Sequence, residues 1–477
     1  MTGALATRTA PGPVPAASGP ALERLELLCD PGTFAPIRSG VTSTQLGDRA
    51  GPGDGVVTGA GRVGGRPVFC YAQNPRFMGG SLGSAHADSI VRIMHLAAQA
   101  GAPVVGFVES GGARLQEGHA ALAGYGRIFR ASVELAERVP QISIVTGVSA
   151  GGGAYSPALS DFVVMTDSAR MFLTGPKIVR EALGEDVSME DLGGPAVHSR
   201  NGVCQLVAAD DAEAVALARE LLGLLPARFG EGMVAFGEPA PPVERDPGAT
   251  VPVEPRRVYD VRAVATALVD GGRLVELSAD WARNMVIGLG RIEGRTVGVL
   301  ANQPRWLGGV IDAQAAEKAA LFVDACDRFG IPIAVLVDTP GFMPGTGQER
   351  AGVIRHGASL LRAFAGARVP KLTVIVRKAY GGAVITMNSK DLGADIVFAW
   401  PQAEIGIMAA SQAVGIVHRR DLEASADPDA ARAELAAGYA EEHLNAAAAA
   451  AAGFVDEVIA PAETRARLAW ALGALSR

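Results

Sequence analysis

A run of segments in this chain occurs twice at one nearly constant spacing. "QNPRFMGG" (73–80) returns as "NQPRWLGG" (302–309), and "GRPVF" (65–69) as "GRTVG" (294–298), both 229 residues on. "AGAPVVGFVESGG" (100–112) falls on "FGIPIAVLVDTPG" (329–341) at the same spacing. "VPQISIVTGVSAGGGA" then falls on "VPKLTVIVRKAYGGAV", with Pro140 on Pro370 and Gly151 on Gly381, a spacing of 230. Self-similarity over this length means a duplicated unit. Each copy reads as a short strand pair around a Gly-Arg turn and then a Gly-Gly loop. A helix (85–100; 313–329), a buried strand (104–108; 333–337), a second helix and the Val-Pro strand follow, and that strand opens into a Gly-rich turn. Apolar strands alternating with helices predict a mostly parallel sheet covered on its faces, so the fold class is α/β with two duplicated domains.

At 477 residues the chain exceeds one ordinary core, in keeping with two domains. The stretch 236–257 holds six prolines and no apolar periodicity. The expected organisation is a disordered tail (1–20), a first domain (21–238), a Pro-rich linker (239–257) and a second domain (258–477). Hydrophobic residues make up 49%, charged residues 19%, and there are 60 glycines, which describes a globular protein rich in tight turns. The net charge of −7 gives no reason to expect nucleic acid or an anionic membrane as partner. No apolar run has the length of a membrane span. Four well-separated cysteines (Cys29, Cys70, Cys204, Cys326) argue against a disulfide scaffold or zinc ribbon and fit a reduced cytoplasm; no metal site is expected.

"GVSAG" (147–151) matches the G-x-S-x-G nucleophile elbow. The duplication tests that match. Ser149 corresponds to Ala379, so the nucleophile is not repeated, whereas Gly151 and Gly152 correspond to Gly381 and Gly382. No motif places a histidine or acid to complete a triad. Glycines after an apolar strand at a helix start leave backbone N–H groups open to a developing oxyanion. The turn's backbone is therefore the expected chemical element, and Ser149 is only small enough to fit.

The segments "ERLELLCDPGTF", "MGGSLGSAH", "SGGARLQEG", "VPQISIVTG" and "AYSPALSDFVVM" of the first half, with "ANQPRWLGG", "DTPGFMPGTGQE", "RKAYGGA", "SKDLGAD" and "AWPQAEI" of the second, carry a resemblance. From about Glu23 onward the chain resembles the carboxyltransferase (β) subunit of biotin-dependent acyl-CoA carboxylases, of the propionyl-CoA and acetyl-CoA carboxylase type. That resemblance implies two crotonase-like ββα-spiral domains, the first holding acyl-CoA and the second biotin, in a hexamer. It implies transfer of a carboxyl group from carboxybiotin to the α carbon of acetyl-CoA or propionyl-CoA. Oxyanions then develop on the thioester and on the ureido oxygen. Carried onto this sequence, Gly151 and Gly152 stabilise the enolate, and Gly382 and Ala383 the ureido oxygen. Gly111, Gly112, Ala150, Tyr155 and Gly381 line the substrate pockets, and Ile385 borders the acyl group. The biotin is expected on a partner carrier or biotin carboxylase subunit, since no "AMKM" and no ATP-binding signature occurs here. The same pockets serve decarboxylation, the alternative direction; a non-catalytic scaffold is the alternative of another class.

Three departures from the family pattern stand out. The usual basic N-terminal arm is absent; "GPCAGG" is "GVSAGG"; and "MGAxGAV" is "MAASQAV" (408–414). Arg114 and Glu117 could pair to orient their loop or lie solvated on the surface, and Lys378 is expected in an ion pair.

Overall fold

The computed structural model describes residues 19–230, 237–252, 254 and 257–475. Most of the expected 1–20 tail lies outside them. The chain divides into two compact units, 1–198 with 206–222, and 199–205 with 223–477. The division at 222/223 precedes the Pro-rich stretch, whose Pro247–Thr250 turn belongs to the second unit.

In the first unit, helix α1 (Pro20–Leu28) precedes an antiparallel hairpin of β1 (Val56–Val63) and β2 (Arg66–Gln73). Gly64 and Gly65, both with positive φ, form the two-residue turn that suits the twist of a hairpin. Helix α2 (Ser84–Ala100) leads to β3 (Val104–Ser110), and α3 (His119–Leu135) to β4 (Gln141–Ala150). Then come α4 (Gly152–Ala158), β5 (Phe162–Thr166), β6 (Arg170–Phe172) and β7 (Leu206–Ala208). From β2 onward every pairing is parallel, in the order β1-β2-β3-β4-β5-β7, with β6 beside the end of β4. Val104–Val108 and Gln141–Val145 are buried throughout, as strands covered on both faces must be.

The second unit repeats this order. A hairpin of β8 (Met285–Ile292) and β9 (Arg295–Asn302) precedes α5 (Ala313–Phe329) and β10 (Ile333–Thr339). Helix α6 (Val353–Gly366), β11 (Lys371–Tyr380), α7 (Gly382–Thr386), β12 (Ile396–Ala399) and β13 (Glu404–Gly406) follow. β11 pairs with β12 and, at its end, with β13, as β4 does with β5 and β6. The helices and buried strands expected from the repeat are all present. Even strain repeats: Met78 and Leu307, 229 residues apart, both take a left-handed φ of 50°. No helix among the described residues is long and apolar enough to cross a membrane.

Candidate active site

Each unit carries a glycine turn where its central strand passes into a short helix. Gly151 has φ 60° and ψ −125°, and Gly381 has φ 62° and ψ −149°, conformations that a side chain disfavours strongly. The Gly151 N–H is donated to Phe172 O at 3.1 Å, and that of Gly381 to Gly406 O at 2.9 Å. The first closures of the helices are Ala154 N–H to Gly151 O and Val384 N–H to Gly381 O. The amides before them, on Gly152 and Gly153 and on Gly382 and Ala383, fall among the helix-start donors that have no intrahelical acceptor. The sequence expectation therefore needs one correction. The amide of Gly151 is consumed by strand pairing, and the open pair in the first unit is Gly152 with Gly153. Gly382 and Ala383 occupy the corresponding places at the start of the second unit's helix.

The other expected residues gather around these turns. Gly111 donates to Gly79 O at 3.0 Å and Gly112 to Ser110 Oγ at 3.2 Å. A Cβ on Gly112 would stand 3.4 Å from Ala150 O, so this loop lies against the turn. Ser110 Oγ also meets the Tyr125 hydroxyl at 3.1 Å. Tyr155 is half-exposed and meets Phe129 edge-on. Ser149 is wholly buried and its hydroxyl donates to Gly153 O at 2.9 Å, which ties it to the helix and gives it no access to a substrate. In the second unit Gly381, Gly382 and Ile385 line a cavity of about 690 Å³, largely walled by apolar side chains such as Ile405, Ile407 and Phe454. Tyr380 is buried and donates its hydroxyl to Glu404; burial first, and then that bond, push the phenol's pKa well up.

Charged groups, some named from the sequence and some not, brace the surrounding loops. Arg114 and Glu117 are buried, not solvated: Arg114 Nη1 lies 2.7 Å from both Glu117 Oε1 and Asp54 Oδ1. Burial pushes the Asp54 carboxyl up against the pull of Arg114. Burial also opposes the charge on Glu117, but the Ser84 N–H, Arg114 and Ser43 outweigh it and hold that carboxyl low. The buried ammonium of Lys318 donates to the carbonyls of Ser278, Trp281 and Met285 at 2.7–2.8 Å. Burial lowers its pKa to about 7. Lys378 lies 3.9 Å from Asp338, in the expected ion pair, and Arg377 Nε is 3.0 Å from the same carboxylate. Nothing in the sequence flagged Asp54 or Lys318. A left-handed Asp between glycines and a lysine in an alanine-rich helix both read as surface residues.

The carboxyl transferase domain family matches residues 16–477. The propionyl-CoA carboxylase beta chain of Saccharopolyspora erythraea is 48% identical over 96% of this chain and 87% of its own length. The methylmalonyl-CoA carboxyltransferase 12S subunit of Propionibacterium freudenreichii subsp. shermanii is 45% identical, over 95% and 87%. A crystal structure of the transcarboxylase 12S hexamer, with methylmalonyl-coenzyme A and methylmalonic acid bound, superposes with a TM-score of 0.90. It is 44% identical and covers 96% of this chain and 89% of that one. With the duplicated crotonase-like fold and a glycine amide turn in each copy, the chain belongs to the carboxyl transferase family.

Proposed function

We propose that this chain is the carboxyltransferase subunit of an acyl-CoA carboxylase, moving a carboxyl group from carboxybiotin on a partner carrier to the α carbon of acetyl-CoA or propionyl-CoA. The observation that carries the reading is the pair of amide turns. Two oxyanions, one on each substrate, need two donor sets, and the chain provides two by duplication. Each well-placed donor lowers such a barrier by about 3 kcal/mol.

The second unit fits biotin: a Cβ on Gly382 would meet nothing within 4 Å, and the cavity beside it is largely apolar. Biotin, when carboxylated, supplies the carboxyl group and a ureido nitrogen that accepts the α proton. Gly382 and Ala383 hold the ureido oxygen by their N–H groups. Gly152 and Gly153 hold the thioester oxygen, and the Gly111–Gly112 loop and Ala150 shape that pocket. A side-chain base is not required. We place the protein in the cytoplasm as a homo-oligomer of the 12S hexamer type, working with a biotin carrier and biotin carboxylase.

The test is to mix the protein with biotinylated carrier, biotin carboxylase, ATP and labelled bicarbonate, and to follow label into acetyl-, propionyl- and butyryl-CoA. Label in no thioester defeats the reading. Ile385, half-exposed on the cavity wall, brings only shape and apolar contact to the choice of acyl chain. One methylene is then worth about 1–3 kcal/mol, so acetyl-CoA is accepted beside propionyl-CoA. Ile385→Asp lowers kcat/KM for acetyl-CoA more than for propionyl-CoA; an unchanged ratio removes Ile385 from that role.

A further inference from the structure

Each central strand breaks register just before its glycine turn. Val108 faces Val145 and Ser110 faces Ser149, so 146–148 stand opposite Glu109 alone. In the second unit Val337 faces Ile375 and Thr339 faces Ala379, leaving 376–378 opposite Asp338. Such bulges bend a strand and re-aim the residues beyond them. Here the bend also changes the neighbour. β4 pairs with β5 up to Val145 and with β6 from Val148, and β11 pairs with β12 up to Ile375 and with β13 from Lys378. The open amides come within a few residues of the new pairing.

An acidic residue sits at both bulges in the same setting. The backbone N–H of Glu109 donates to Gln73 Oε1 at 3.1 Å, and that of Asp338 to Asn302 Oδ1 at 3.3 Å; Gln73 and Asn302 are themselves 229 residues apart. The carboxylates then face the bulged strand. Asp338 Oδ1 accepts the Lys378 N–H at 3.2 Å, and Oδ2 meets Arg377 Nε at 3.0 Å. Arg377 also donates to the carbonyls of Glu254 and Arg257, at 3.3 and 2.8 Å. In the first unit Glu109 accepts from Thr146 Oγ1 at 3.4 Å, and a Cβ on Gly147 would stand 2.3 Å from Oε1. Its cation, Arg24 at 2.9 Å, comes from α1 because Gly147 occupies the position of Arg377.

We propose that the pairs Glu109–Arg24 and Asp338–Arg377 are positioning residues for carboxyl transfer, each fixing the bulge that aims one set of amides at its oxyanion. This rests on the carboxyl-transfer reading above. A misaimed donor loses its grip on charge that develops only in the transition state, so kcat falls while KM stays. A merely structural pair would lower stability and leave kcat per assembled site unchanged.

Breaking one partner alone strands a buried charge. The test therefore uses the neutral double variants Arg377→Met/Asp338→Asn and Arg24→Met/Glu109→Gln, with wild type in parallel. Assembled protein is assayed for transfer from carboxylated carrier to propionyl-CoA. The expected result is a loss of kcat greater than tenfold in each, with KM for carrier and acyl-CoA within threefold. Arg377→Lys keeps the charge but not the full set of guanidinium contacts; it recovers part of the loss, and it carries the test, with a loss above threefold, if the double variant does not assemble. Smaller losses, or a change confined to KM, overturn the proposal. Wild type without transfer overturns the function itself, and this proposal with it.

Discussion

An added Cβ at Gly152 would stand 2.7 Å from the Tyr125 ring, whereas at Gly382, its duplicate, it would meet nothing within 4 Å. The two turns share a backbone and differ in what fills the space behind it. In the first unit the glycine is walled in by an aromatic ring whose hydroxyl is bonded to Ser110. In the second it opens on the cavity. The same residue is therefore demanded by packing in one copy and left with open space before it in the other, and substitution separates the two. Gly382→Val leaves the thermal midpoint and the assembly close to wild type and lowers carboxyl transfer by about a thousandfold, the scale set by loss of an oxyanion donor. Gly152→Val overpacks against Tyr125 and costs about 1–3 kcal/mol of stability as well as activity. Thermal unfolding beside initial rates checks both. Near-wild-type turnover in Gly382→Val removes the biotin pocket from this turn.

The loops that lead into the hairpins show a second contrast. The loop before β1 is held by the Arg114 guanidinium between Asp54 and Glu117; the loop before β8 is held by the Lys318 ammonium among three carbonyls. Arg114→Met leaves two buried carboxylates without their cation, and breaking such a network costs about 3–5 kcal/mol. Urea unfolding at pH 7 reads this as a much lower midpoint or as failure to accumulate folded protein.

Lys318 differs because it titrates. Its folded pKa is about 7, lowered by burial although Glu276 and Asp280 oppose the shift, against an ordinary value of 10.5. Between those values the unfolded chain binds more protons than the folded one, so this group adds stability as pH rises, by up to about 1.4 kcal/mol per unit. Below pH 7 both forms are charged and its contribution stays at its lowest. In Lys318→Met that slope disappears, so the stability of wild type relative to the variant climbs from pH 7 to pH 9. Urea midpoints across that range decide it, and a flat difference means the ammonium keeps its proton throughout.

The frame was legible in the sequence and the bracing was not, for different physical reasons. Strands buried on both faces must be continuous apolar runs, and "VVGFV" and "IAVLV" could be little else once the repeat had aligned them. The turns were legible because glycines recur at one spacing. The state of the Gly151 amide was not, because its acceptor, Phe172 O, lies in a three-residue strand that meets β4 only from Val148 onward. Lys318 sits in "AQAAEKAALF", where alanine spacing leaves the buried face undefined, and its carbonyl acceptors come from a loop more than thirty residues earlier. Asp54 becomes a ligand of Arg114 only through a left-handed turn that no periodicity signals.

The smallest expected effect bears on the most suggestive motif. Ser149 lies in a G-x-S-x-G match, yet its Oγ is buried and donates to Gly153 O, while the duplicate position holds Ala379, also wholly buried. A hydroxyl used in this way contributes about 1 kcal/mol of stability and touches no reacting atom. Its removal leaves the amides of Gly152 and Gly153 in place, because the turn is set by the φ of Gly151 and the pairing of β4 with β6. Ser149→Ala therefore transfers carboxyl groups within about threefold of wild type, with a thermal midpoint lower by a few degrees. The second unit already performs this experiment on itself: with alanine at the position, Gly381 keeps its φ of 62° and its bond to Gly406 O. Initial rates at saturating carrier and propionyl-CoA settle the matter, and a thousandfold loss would restore Ser149 as a nucleophile and break the equivalence of the two turns.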